Sequence, residues 1–217
     1  MPIDYWRQLD IVAPSDLETL QVTLVGCGGI NSPTGLALAK MGVPTITLYD
    51  HDTVEEHNLP NQLYRLSDEG KTKVEALADI LSGYSIVDIQ KHPEKFEMQA
   101  LEGVVVSGVD SMSARKAIWD QVKFNPSVTL YIEGRMGAEV ARIHTLNPCD
   151  LDKVKWYETL LYPDEQAQEL PCTARAIIYN TFMIAALISN QVKKFARGEE
   201  FPKEIICDMK NLLLFTA

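Results

Sequence analysis

Cysteine is scarce in this sequence and badly placed for a metal or a disulfide framework. Cys27, Cys149, Cys172 and Cys207 are scattered over 217 residues and form no C-x-x-C pair. That spacing excludes the usual structural zinc signature and a dense set of bridges, so no zinc is expected and a reducing, cytoplasmic compartment is. Positive charge is also short. Twenty Lys+Arg against thirty Asp+Glu leave a net charge of −10, a field that repels phosphate backbones and anionic lipid, so nucleic acid is not an expected partner. Long apolar runs are missing too. The longest one near the C-terminus, Phe182 to Ile188, is far too short to span a bilayer. The stretch from Met1 to Trp6 lacks the basic flank and apolar centre of an export signal, so no membrane association is expected. Repeats, low-complexity tracts and Gly/Ser linkers are absent as well.

What is present is an alternation of short apolar runs with helical patterns. Gln21 to Gly26, Thr45 to Asp50, Ile86 to Gln90, Gly103 to Ser107 and Thr129 to Ile132 read as buried strands, rich in β-branched residues. Pro33 to Met41, Lys71 to Leu81 and Ser113 to Lys123 have helical length and period. The alternation predicts an α/β fold, a doubly wound, mostly parallel Rossmann-like sheet. Beyond Ile132, Glu139 to Leu146 reads as an extra strand, and the acidic, Pro-punctuated stretch from Asn147 to Pro171 as a mobile crossover. A long helix is expected from about Thr173 to Arg197, with Gly198 as its stop, followed by an antiparallel hairpin of Glu204 to Asp208 and Asn211 to Phe215. The expected organisation is one domain over 1–217: a nucleotide-binding core of about 20–135, a crossover of about 147–172, and a C-terminal helix and hairpin of about 173–217.

The most informative motif is Gly26-Cys27-Gly28-Gly29-Ile30-Asn31-Ser32, directly after a predicted strand and before a predicted helix. Glycines there let the backbone turn sharply and approach an anion, which the free N–H groups of the helix start attract. The second strand ends in Asp50, at the distance where such folds place a carboxylate on ribose hydroxyls. These two features specify a nucleotide site without separating NAD from ATP.

Further blocks follow in order: Tyr5-x-Arg7-Gln8, Tyr49-Asp50-x-Asp52-x-Val54-Glu55-x-x-Asn58-Leu59-x-x-Gln62, Gly70-Lys71-x-Lys73-Val74-Glu75 and Val109-Asp110-Ser111. With the glycine loop, they resemble the ThiF/MoeB/HesA adenylyltransferases, relatives of ubiquitin-activating enzymes, over most of the chain. The resemblance implies that ATP is bound with Mg²⁺ and that a carboxylate is activated as its acyl-adenylate. In that scheme Gly26, Gly28 and Gly29 cradle phosphate, Asp50 holds the ribose, and Asn58 and Gln62 lie along the phosphates. Lys73 neutralises charge at the α-phosphate, and Asp110 is the Mg²⁺ ligand. Arg7 would reach into the partner subunit's site, making the protein a homodimer, and the implied substrate is a small ubiquitin-like or sulfur-carrier protein with a Gly-Gly tail. Leu170-Pro171-Cys172-Thr173 resembles the neighbourhood of the thioester cysteine in ubiquitin-type activating enzymes, with the predicted helix start and Arg175 favouring a Cys172 thiolate.

Two departures stand out. Pro60-Asn61 occupies the place where relatives carry an arginine before Gln62, with Arg65 or Arg135 as candidate substitutes. Asn31 stands where a third glycine is usual, read here as a residue tolerant of left-handed backbone. Two other readings stay open on the residues alone: an NAD-dependent oxidoreductase using the same loop, and a non-catalytic nucleotide-binding dimer.

Overall fold

The β-branched runs form strands β1 (Gln21–Val25), β2 (Thr45–Tyr49), β3 (Asp88–His92), β4 (Gly103–Ser107) and β5 (Val128–Gly137), which pair parallel with one another. The chain then returns antiparallel through β6 (Val140–Leu146), β7 (Glu204–Asp208) and β8 (Leu213–Thr216). In this computed structural model, which describes residues 3–166 and 176–217, they make one eight-stranded sheet ordered β3-β2-β1-β4-β5-β6-β7-β8. The helices are α1 (Pro14–Leu17), α2 (Asn31–Met41), α3 (Lys73–Ser82), α4 (Met112–Val122), α5 (Leu151–Glu158) and α6 (Ile178–Ala196).

Side chains alternate across a strand, and here that alternation builds two cores. Leu24, Ile46, Leu48, Val104, Val106, Leu130 and Ile132 face one way and pack with Leu38, Leu77, Leu81, Ile184 and Ile188 of α2, α3 and α6. Val25, Tyr49, Val105 and Tyr131 face the other way and meet Ile118 and Trp119 of α4 and Val154 and Tyr157 of α5. Reversal of strand order after β3 places β1 beside β4, and the crevice outside their carboxyl ends is where open α/β sheets hold ligands.

The boundaries differ from expectation where local signals were weak. The third strand is Asp88–His92, two residues late, because its register is set by pairing Tyr49 with His92, whose rings stack at 4.4 Å. The fifth strand runs on through Glu133 to Gly137, since charge in its second half is neutralised within the protein rather than by water. The acidic stretch is not wholly a mobile crossover: Asp150 accepts from the Asp152 and Lys153 N–H groups and starts α5, which buries Val154 and Tyr157. The long helix begins at Ile178 rather than Thr173, with extended backbone at Ile177. Its apolar run is half-buried: Ile184, Ala185 and Ile188 are covered and Phe182 is exposed. The C-terminal hairpin is present, its turn closed by the Asp208 carboxylate accepting from the Asn211 backbone and side-chain amides. Among the described residues, no helix is long and apolar enough to cross a membrane.

Candidate active site

The parallel ladders of β1, β2 and β4 end together, and backbone hydrogen bonds carry the alignment one residue further. Gly26 N–H donates to Tyr49 C=O at 2.8 Å and Gly108 N–H to Val25 C=O at 2.9 Å. The glycine loop, Asp50 and Asp110 are thereby delivered to one edge. Gly26 has φ +82°, and a side chain there would press on the Gly108 carbonyl at 3.1 Å. Gly29 lies between the Asn61 carbonyl and Thr181 of α6. A Cβ on Gly28, by contrast, would meet nothing within 4 Å, so the loop backbone faces open space where an anion could approach.

Asp50 is buried and organises the loop: its carboxylate accepts from Cys27 N–H at 2.6 Å and from Asp52 N–H at 2.9 Å. Cys27 packs inside the loop, and burial followed by the Asp50 charge pushes its thiol well up, which makes it inert. The buried Tyr64 hydroxyl donates to Cys27 C=O at 2.6 Å, a contact that no sequence motif announced. Asn31 is not left-handed. It opens α2, fully buried, and its amide donates to Val25 C=O at 3.1 Å and Val106 C=O at 3.2 Å, stitching the two strands at the switch point. Gly108 is matched to it, because a Cβ there would lie 2.7 Å from the Asn31 side chain.

Lys73 is the first residue of α3, almost fully buried, with its ammonium 2.7 Å from Asp52. Burial raises the Asp52 carboxyl pKa, but the hydrogen bond and charge of Lys73 outweigh it and the net shift is downward. Asn58 is buried and caps its own turn by accepting from Glu55 N–H at 3.0 Å, while the buried Gln62 Oε1 has no partner among the described residues. Asp110 follows β4 and is exposed. Ser111, not Asp110, caps α4 by accepting from Ala114 N–H, so the Asp110 carboxylate is not consumed by the helix. Asp50, His51 and Asp52 form the acid-rich group compact enough for a cation among the described residues. Asp50 is committed to backbone amides and Asp52 to Lys73, so we discount that group as a metal centre.

Arg7 is not brought to this edge within its own chain. It lies in a one-turn helix near Lys40 and Tyr84, at the far end of α2 from the glycine loop, about 15 Å away along an 11-residue helix. Gln8 pins that arm by donating to Met41 C=O at 2.7 Å. Cys172 lies outside the described residues. The described part of the chain resumes at residue 176 and α6 starts at Ile178. Arg65 is engaged by Asp68 and Asp79, and this holds Asp68 well below the usual carboxylate range.

Arg135 belongs to a buried cluster that the sequence did not announce. Glu133, fully buried on β5, is paired with Arg115 of α4 at 2.6 Å and Arg135 at 2.7 Å. It also meets His144 Nδ1 at 2.9 Å and accepts from the Tyr157 hydroxyl at 3.2 Å. The signal that could have found it is a carboxylate inside an apolar strand, which is tolerated only when paired. Burial pushes the Glu133 carboxyl up, but hydrogen bonds from His144 and Arg135 and the Arg115 charge prevail, lowering it from an ordinary 4.5 to about 2. A carboxylate depressed in the folded state contributes stability that is full above its unfolded value, about 4.5, and vanishes as pH falls through about 2. Glu133→Gln is therefore expected to flatten the loss of stability between those two values while weakening the fold at neutral pH. Urea unfolding across that range checks it, and an acid limb as steep as wild type would refute it.

These features make a doubly wound α/β domain whose ligand crevice opens at the β1/β4 switch point, lined by a glycine loop and a lysine at a helix start. The chain belongs to the ThiF family, whose model matches residues 5–212. It is 38% identical over 87 residues to an adenylyltransferase and sulfurtransferase uba4 of Aspergillus clavatus, an alignment covering 40% of this chain and 17% of that protein. It is also similar in structure to PaaA, with a TM-score of 0.75 at 18% identity over 94% of this chain and 65% of the other. A structure of E. coli MccB with ATP gives a TM-score of 0.71 at 19% identity, with the same two coverages of 94% and 65%. The chain thus spans under a fifth of the uba4 protein and about two thirds of these structural neighbours.

Proposed function

We propose that this protein adenylates a C-terminal carboxylate with ATP, that of a small ubiquitin-like or sulfur-carrier protein ending in Gly-Gly. A carboxylate oxygen attacks the α-phosphorus, the bond to the bridging oxygen breaks, and acyl-AMP and pyrophosphate result. The convergence of the Gly26–Gly29 loop, Asp50, Lys73 and an uncommitted Asp110 at one sheet edge carries this reading.

Each residue has a task that its chemistry suits. Asp50 accepts from ribose hydroxyls at the end of β2, and the loop amides receive phosphate oxygens. Gln62, with an unpaired buried oxygen, orients its amide along the phosphate chain. Lys73 supplies a compact cation next to the phosphorus under attack. Asp110 suits Mg²⁺, which is commonly held by one or two carboxylates together with substrate phosphates and, when bound, screens the triphosphate's charge. Most of the rate then comes from positioning and charge neutralisation, without an acid or base. Arg7, remote from its own crevice, is assigned to the partner's site in a homodimer. The Leu170-Pro171-Cys172-Thr173 motif supports a second step, transfer of the acyl group to Cys172 with release of AMP, at a residue that lies outside the described ones. A cytoplasmic location fits the chemistry.

The test is ATP–pyrophosphate exchange with a panel of Gly-Gly-tailed carriers. Exchange that depends on both the carrier and its terminal carboxylate is expected. Nucleotide binding without carrier-dependent exchange would sink the enzymatic reading and favour a non-catalytic nucleotide-binding dimer, for which the missing arginine beside Asn61 is the motivating observation. Tight NAD binding in place of ATP would favour an oxidoreductase.

A further inference from the structure

We propose that Glu133, with the Arg115 and Arg135 side chains it holds, is a positioning centre that sets the Asp110 loop against the crossover chain and so governs how Mg²⁺ is taken up with nucleotide. This rests on the adenylation reading and deepens it.

The geometry is a closed circuit. Arg115, buried on α4, pairs with Glu133 at 2.6 Å and donates to the Val109 carbonyl at 2.6 Å. That carbonyl belongs to the planar peptide joining Val109 to Asp110, so fixing it orients the plane from which Asp110 departs. Arg135 donates to both Glu133 oxygens and to the Leu160 carbonyl at 3.1 Å, where the crossover leaves α5. Four residues on, Asp164 returns to the site, its carboxylate accepting from Met112 N–H at 2.7 Å and Ser113 N–H at 3.2 Å in the first turn of α4. One carboxylate thus anchors both walls of the crevice by way of backbone carbonyls.

The charges explain why the circuit is stiff. Two guanidinium groups and one carboxylate are held together, with Tyr157 and His144 completing the acceptance by Glu133. Removing one charge from such a set leaves another uncompensated, which is far costlier than losing a surface pair. Arg135 Nη2 is buried and unpartnered among the described residues, so Glu133 is that guanidinium's sole carboxylate there. In this scheme the cluster acts through the Val109 and Leu160 carbonyls that its arginines hold.

The experiment uses purified Glu133→Gln, Arg115→Lys and Asp164→Ala proteins, with thermal shift read against ATP over a series of Mg²⁺ concentrations. For E133Q the Mg²⁺ needed for half of the nucleotide-induced shift is expected to rise about tenfold, the size typical of outer partners of a metal ligand, while the response to ATP without Mg²⁺ stays as in wild type. Arg115→Lys, which keeps the charge and loses the fork, is expected to lie between, and it carries the test if E133Q does not fold. Asp164→Ala, which removes the carboxylate that accepts from the Met112 and Ser113 N–H groups, is expected to raise the Mg²⁺ requirement in the same direction as E133Q. Wild-type Mg²⁺ dependence in E133Q and R115K, whatever their melting temperatures, overturns the inference, because a merely structural role lowers stability without moving it. A wild-type protein with no response to ATP would instead overturn the adenylation reading, so the two failures are distinct.

Discussion

Asp110→Asn is expected to lower carrier-dependent pyrophosphate exchange by about 10²–10³-fold, the usual cost of removing one preorganised electrostatic group, with the melting temperature unchanged. The structure separates these two effects. Asp110 is exposed, and the cap of α4 is supplied by Ser111, so the substitution removes neither a buried contact nor a helix cap. What it removes is a full negative charge at the carboxyl end of β4, which Asn replaces with a neutral oxygen of nearly the same shape. Raising Mg²⁺ should recover part of the lost rate if the defect is weakened metal uptake, since saturating the ion restores the occupied state. Exchange at the wild-type rate in this variant would remove Asp110 from the mechanism and leave the crevice as a binding site only.

Legibility in the sequence followed the range of the interactions. The five parallel strands and their helices were readable because β-branched runs and 3.6-residue periods are local, and the glycine loop because its context is local too. The start of α5 was missed although Asp150 is an ordinary cap, since acidity and prolines suggested an irregular crossover. The start of α6 differs from the expected Thr173, since the extended backbone at Ile177 sets it at Ile178. Asn31 was noticed for its oddity and explained wrongly. Backbone tolerance was the local explanation, whereas its real partners are carbonyls on β1 and, 75 positions away, on β4. The Glu133 cluster draws on α4, β5, β6 and α5, and no spacing rule connects residues 115, 133, 135, 144 and 157. The residues assigned to the ligand were named from motifs, whereas those that hold other residues in place have no motif to name them.

Lys73→Met should match Asp110→Asn in severity, about 10²–10³-fold in exchange, and the reason is visible in where the lysine stands. A cation at a helix N-terminus opposes the macrodipole by roughly 0.3–1 kcal/mol, and this one is almost fully buried as well. Asp52 compensates it, through the ammonium at 2.7 Å and through a backbone bond from Lys73 N–H to Asp52 C=O at 2.9 Å. A fold seeking only stability has no need of that lysine, because both partners could be apolar. Loss of exchange without loss of folding would therefore mark Lys73 as a group kept for the phosphates. Arg7→Ala provides the complementary defect, since Arg7 lies at the far end of α2 from the crevice of its own chain. If it serves the partner's site, mixing the two inactive proteins creates heterodimers in which one of two sites has both cations. Random reassortment by two-fold symmetry would then restore about a quarter of the wild-type rate. Recovery at that level ties Arg7 to the neighbouring subunit, and a mixture as inactive as its components would show that each chain must work with the cations it carries.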